Sequence, residues 1–375
     1  MISILNEISK LRNGIPLIID YKNSNRYRIV SMEPNNTKTA YYFSAPIYNS
    51  RTRKIVDMVF HKNGEALYYV GSNANITISN DIKMENESGA CTILFGKENI
   101  CSSESKVLYD SEQIFPTTNG IAIRSTCPNG KPFTFTFETN KPFLEIRAND
   151  KYFAMMSEKF RPFFTISCIG TEDNSQNIIS PARLNYQKIT DRKYTISISP
   201  CTSTGYSILL EANLYDHKLF QDTTVESNNP KSNNAFGGIG YIGSSQTYGE
   251  QWLYSRSDFT KLTELNDKKI LQAILHIPKW NKSAVELSTS LVSARFCSFG
   301  SNWNNKISEK SMFTASQITD HYINIDLTSI LADKYGQLTA NEGFILKEKK
   351  KGSGFSVIST GDNYLKPQIL EINYK

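Results

Sequence analysis

The chain has 375 residues, of which 39% are hydrophobic and 21% charged, and a formal net charge of +6. Its length allows two domains that each bury a core, and its composition is that of a soluble globular protein. The mild charge is scattered, which argues against a nucleic-acid partner; the one tight run, Lys347, Lys349, Lys350 and Lys351, reads as a solvated hairpin tip or a contact for an anionic polymer.

In the opening residues, Ile4, Ile8 and Leu11 recur at helical spacing and Asn13-Gly14 supplies a stop. One short amphipathic helix over 2–12 is expected, within an N-terminal segment 1–15. It would pack on its own domain or dock a partner subunit. Asn6, Glu7, Lys10 and Arg12 interrupt any apolar core of a signal peptide, and no later run reaches membrane-spanning length. The expectation is cytoplasmic synthesis, no membrane span, and a destination on a phage-like particle, a virion, or a spore or cell surface.

From Ile15 the pattern changes to short runs rich in Ile, Val, Tyr, Phe and Thr separated by turn residues, which predicts antiparallel β structure over 16–215. Asn63-Gly64 lies between two such runs and suits a tight hairpin turn. Ile121–Arg124 is expected to fold back through Pro128-Asn129-Gly130 onto Phe133–Phe137. There Phe133, Phe135 and Phe137 at period two predict a buried face. No Pro/Ser-rich linker separates this region from the rest.

The richest stretch is 221–260. Val225 sits in an entry strand, Asn233 to Gly240 holds two Asn and three Gly suited to positive φ and close chain approach, and Tyr241-Ile242-Gly243 is a strand ending on glycine. Further strands are expected at Ile270–Ile277, Ser288–Phe299, Ile323–Leu327, Gly343–Leu346, Gly354–Ile358 and Gln368–Tyr374, with a short helix in Thr328–Tyr335.

Several landmarks, in order, resemble those of the DNRLRE-type β-sandwich domain, a bacterial module grouped with carbohydrate-binding modules. These are Asp222-Thr223, Asn233-Asn234-Ala235-Phe236-Gly237, Ile242-Gly243, Arg256 with Asp258, Ala273-Ile274-Leu275, Trp303, Ile325-Asp326-Leu327-Thr328, Gly343–Leu346 and Pro367–Leu370 with Tyr374. Ser257 stands where that family has an aromatic. The resemblance implies a sandwich over 216–375 and a tendency to bind surfaces or glycans, with Trp303 structural. The expected architecture is all-β: two antiparallel, jelly-roll-like sandwiches and one N-terminal helix.

Catalytic signatures are missing: there is no G-x-S-x-G elbow, H-E-x-x-H, P-loop or dinucleotide fingerprint. The histidines, His61, His217, His276 and His321, lie far apart, and the six cysteines form no C-x-x-C pair, so free thiols are expected, a Cys91–Cys101 bridge being the alternative. A non-enzyme without a cofactor follows. Asp222, Asp258 and Asp326 could hold a structural Ca²⁺ or serve turns and caps.

The positive signal is aromatic. All three tryptophans, Trp252, Trp280 and Trp303, fall in the C-terminal region, where exposed rings could stack on sugars. Trp280 is expected as the exposed platform, followed by Trp303, with Trp252, Tyr254 and Arg256 beside them. The leading expectation is a non-catalytic surface or particle-associated protein that contacts a glycan or cell-wall polymer, as a homo-oligomer or with other subunits. The alternatives are a purely structural subunit of a phage-tail-like particle, spore layer or fibre, and a polysaccharide-degrading enzyme with an attached binding module.

Overall fold

A computed structural model describes residues 4–49, 51–52, 54–96, 101–103, 106–109, 111–126, 130–158, 161–201, 207–216, 219–257, 262–282, 285–315, 317–339, 342–352 and 354–375, without side chains at 101–103 and 313–315. The all-β class is borne out. Antiparallel strands dominate, and α-helix is confined, among the described residues, to Ile4–Leu11 and the single turn Thr328–Leu331.

Two compact units are present, one of residues 46–217 with 236–239, the other of residues 2–45, 218–235 and 240–375. The first contains two sheets. One is ordered Ala182–Lys188, Lys193–Pro200, Phe133–Thr139, Gly89–Leu94, Ile82–Asn86, Asn75–Ile78, Ala66–Val70 and His61–Asn63, the last five forming a meander. The other has Ser207–Leu214 at its centre, between Gly120–Thr126 and Arg161–Glu172. Phe133, Phe135 and Phe137 are buried as their alternation predicts. Phe137 meets Phe153 and Phe164 of the second sheet at centroid distances of 5.5 and 5.3 Å, so aromatic packing joins the sheets.

The expected hairpin between Ile121–Arg124 and Phe133–Phe137 does not form. Gly120–Thr126 pairs with Glu112–Pro116 and Ser207–Leu214, whereas Phe133–Thr139 pairs with Lys193–Pro200 and Gly89–Leu94 in the other sheet. A turn signal marks a reversal of the chain but does not choose the hydrogen-bond partner. Residues 127–129 lie outside the described residues. The Asn63-Gly64 turn is present, with Gly64 at φ 63° between paired strands.

The second unit is also built on two sheets. One is ordered Arg28–Met32, Lys38–Phe43, Ile369–Tyr374, Ile270–Pro278, Tyr322–Asp326 and Gln317–Ile318. The other runs Glu309–Ala315, Leu287–Val292, Phe344–Glu348, Gly249–Ser257, Ile239–Ser245 and Phe355–Ser359, and Phe220–Glu226 also pairs with Gly249–Ser257. Val30, Tyr42, Leu275 and Leu370 from the first share one core with Leu253, Leu287, Phe344 and Leu346 from the second. Each such side chain taken from water contributes about 1.5–3 kcal/mol.

Residues 16–45 therefore belong with the C-terminal part of the chain, not with the predicted 16–215 domain. Lys38–Phe43 hydrogen-bonds in register with Ile369–Tyr374, and Asn373 Nδ2 donates to Thr37 Oγ1 and Thr39 Oγ1. Proximity in sequence favours neighbouring strands but cannot announce a pairing this remote. Residues 236–239 depart from the prediction in the other direction, since Phe236 packs edge-on against Tyr152 and Tyr215 of the first unit.

The N-terminal helix packs on its own chain, burying Ile4 and Ile8. Arg12, at its end, donates to Glu33 Oε1 at 2.7 Å and to Tyr41 Oη at 3.0 Å, and Tyr322 donates its hydroxyl to Glu7. The predicted strand Ser288–Phe299 stops at Val292, and the chain from 293 to 308 is irregular.

Candidate functional site

The site grows from strand alternation in Gly249–Ser257. Leu253 points into the shared core, so Trp252 and Tyr254 take the opposite face of the sheet. There Val225, Tyr254, Val292, Phe296 and Ile345 form a smaller core, with Trp252, Trp303 and Ile307 partly buried at its margin. Its cover is the irregular segment 293–308. Phe296 stacks on Tyr254 at 5.7 Å, Tyr254 Oη donates to the Ile307 carbonyl at 2.8 Å, and Asn233 Nδ2 donates to the carbonyls of Ser298 and Ser301.

Trp303 sits on a turn braced by asparagines. Asn302 Oδ1 accepts from the backbone of Asn304 and Asn305, while Asn305 Oδ1 accepts from Asn302 N and its Nδ2 donates to the Gly300 carbonyl. Such Asn-to-backbone bonds hold the turn without a sheet ladder. The Trp303 and Trp252 rings lie 5.2 Å apart, inclined by 57°.

Cations gather over this pair. Lys306 Nζ stands 4.0 Å from the Trp303 ring centre and 5.2 Å from that of Trp252, and Lys347 Nζ also stands 5.2 Å from that of Trp252. Lys347 is ion-paired with Glu309. Burial opposes ionisation of Glu309, but hydrogen bonds from Lys347 and Ser290 outweigh it and hold the carboxyl below its ordinary range. Glu250 accepts from Trp252 Nε1 at 3.0 Å and pairs with Lys351 at 3.0 Å. Lys306 has no carboxylate partner among the described residues, so its positive charge is available to a ligand beside two aromatic faces.

Three of the five predicted ligand residues are withdrawn from solvent. Trp280, expected as the exposed platform, is 5% exposed; its Nε1 donates to Ser359 Oγ at 2.9 Å and Lys366 Nζ lies 3.9 Å from its ring centre. Pro278-Lys279-Trp280 reads as a strand end, but Trp280 N donates to the Val357 carbonyl and the chain remains against the neighbouring strand. Tyr254 is fully buried, and burial pushes its hydroxyl well above the usual tyrosine range. Arg256 is also buried and donates to Gln221 Oε1 at 2.9 Å. Trp252 and Trp303 alone reach the surface together.

The aspartates have separate local engagements. Asp222 is buried, its Oδ2 accepting from Gly361 N at 2.5 Å and Gln368 Nε2 at 3.4 Å. Exposed Asp326 accepts from Thr328 N at 2.9 Å, just ahead of the turn Thr328–Leu331. Asp258 lies outside the described residues. Among the described residues no three His, Cys, Asp or Glu groups converge to hold a metal ion. Cys91 is free and buried, and the side chain of Cys101, its expected alternative partner, lies outside the described residues. His276 is buried between Asn324 and Glu371.

The sequence did not point to Lys306, and it singled out Lys347 without placing it beside Trp252. The available signal was a lysine three positions beyond Trp303 in an Asn-rich turn; Lys347, read as part of a hairpin tip, lies instead on the strand Phe344–Glu348. Comparison with protein-family models finds no family that matches the chain, and a search of curated proteins finds no relative of it. Among the described residues no helix is long and apolar enough to cross a membrane.

Proposed function

We propose that this chain is a non-catalytic surface or particle-associated protein whose second unit holds an anionic glycan or wall polymer at the Trp252–Trp303 pair. The observation that carries this reading is Lys306, an ammonium without a carboxylate partner among the described residues, set over two partly exposed indole rings. Indole faces meet the apolar face of a sugar, and an adjacent cation meets phosphate or carboxylate on the same polymer. The ordered motifs that resemble a DNRLRE-type module support the same reading.

The test is a pull-down on wall polysaccharide with a glycan array of anionic and neutral members. Anionic polymers should be retained at low salt and released as ionic strength rises, and both Trp303→Ala and Lys306→Ala should weaken retention about tenfold. Retention that ignores both substitutions sinks the proposal.

A second reading, a structural subunit of a particle or fibre, is favoured by the edge strand Glu309–Ala315, where Met312 is 73% exposed. Subunit packing through that edge predicts an oligomer in solution that Met312→Lys dissociates.

A further inference from the structure

We infer that the second unit carries another saccharide site, independent of the tryptophan pair: an open groove of about 640 Å³ beside the turn 333–337, selective for neutral oligosaccharides. This volume is within the range of about 300–1,000 Å³ common to small-molecule sites. The turn forms one wall. Asp333 Oδ1 accepts from Tyr335 N at 2.8 Å and Gln337 N at 2.9 Å, and Ile270 N donates to the Gly336 carbonyl at 2.7 Å. Gly336 has φ 81°, and a Cβ there would come within 2.8 Å of the Ile270 carbonyl oxygen, so only glycine lets the turn press against the strand.

This anchoring leaves Tyr335 66% exposed at the groove, with Lys334 Nζ 4.9 Å from its ring centre. An aromatic ring displayed on a braced turn and not folded into a core is suited to the apolar face of a pyranose. Asp326 and Asp333 each commit one carboxylate oxygen to backbone N–H groups, which fixes their orientation; the second oxygen of each has no donor among the described residues. Two pre-oriented acceptors that line one groove with an exposed ring suit sugar hydroxyls, which are donors. Lys269 and Lys334 balance the two carboxylates, so the groove has no net charge to select an anion.

The experiment is a neutral-glycan array of glucose, galactose, mannose and N-acetylglucosamine oligomers, followed by calorimetric titration of the best binder with the full chain. Wild type should bind at least one class. Tyr335→Ala should weaken it about tenfold, Tyr335→Phe should stay within about twofold because the ring remains, and Trp303→Ala should leave it unchanged. No neutral oligosaccharide bound, or binding indifferent to Tyr335→Ala, overturns the inference and leaves the anionic-polymer reading to its own test.

Discussion

Arg124 and Glu172 form a two-pronged ion pair, Nε to Oε2 at 2.5 Å and Nη2 to Oε1 at 3.0 Å, with the glutamate side chain only 1% exposed. Desolvation of that carboxylate is offset chiefly by the guanidinium, with one further bond from Ser207 Oγ at 3.2 Å. Arg124→Ala should therefore destabilise the first unit by about 3–5 kcal/mol, and Arg124→Met combined with Glu172→Leu should recover much of the loss. Urea unfolding of the three proteins checks both statements.

Trp280 makes a contrasting prediction to Trp303. Because it is buried against Ser359 and Lys366, Trp280→Ala should cost about 3–5 kcal/mol of stability. Trp280→Phe should retain most of the packing and lose the bond to Ser359. Under conditions where the variants remain folded, polymer affinity should be unchanged; a selective loss of binding with wild-type stability would return Trp280 to the ligand site.

Acid should weaken the second unit in a defined window. Hydrogen bonds from Lys38 and Asn23 hold the Asp20 carboxyl down at about 2 in the folded chain, against roughly 4 when unfolded. The unfolded state thus takes up the proton first as pH falls. The stabilisation is full above the unfolded value and disappears as pH drops through the folded one. Denaturation midpoints should decline between about pH 4 and 2, and Lys38→Met should flatten that part of the profile.

Gly243 tests a backbone conformation within the strand Ile239–Ser245 that other residues rarely adopt. Its φ is 117°, and an added Cβ would collide with the Gly354 carbonyl oxygen, where Ser244 N donates at 2.8 Å. Gly243→Ala should destabilise the second unit by at least about 1–3 kcal/mol, visible as a lower thermal midpoint. Gly64→Ala, at a turn where a Cβ meets nothing within 4 Å, should cost less despite its positive φ.

The period-two pattern of Phe133, Phe135 and Phe137 was legible because alternation reports directly which face is dry. Gly243 was only partly legible: expected to end its strand, it lies within Ile239–Ser245, and the close approach and positive φ expected over Asn233–Gly240 fall on it instead. Partner choice was not legible. Nothing near Lys38–Phe43 names Ile369–Tyr374 as its neighbour, and Pro128-Asn129-Gly130 looks the same whether the chain rejoins its own sheet or crosses to another. The candidate site was half legible. Trp252 and Trp303 were singled out, but their meeting depends on a loop fold, and Trp280 looked exposed because its polar neighbours hid a continuing strand contact.

The bond from Asn373 to Thr37 spans 336 residues and has a consequence during translation. At about 5–20 residues per second, a ribosome needs roughly 20–70 s after making Thr37 before Asn373 exists. For that interval the early strands are a nascent ribbon awaiting its mate, and a chaperone that shields β-edges would have its longest task there.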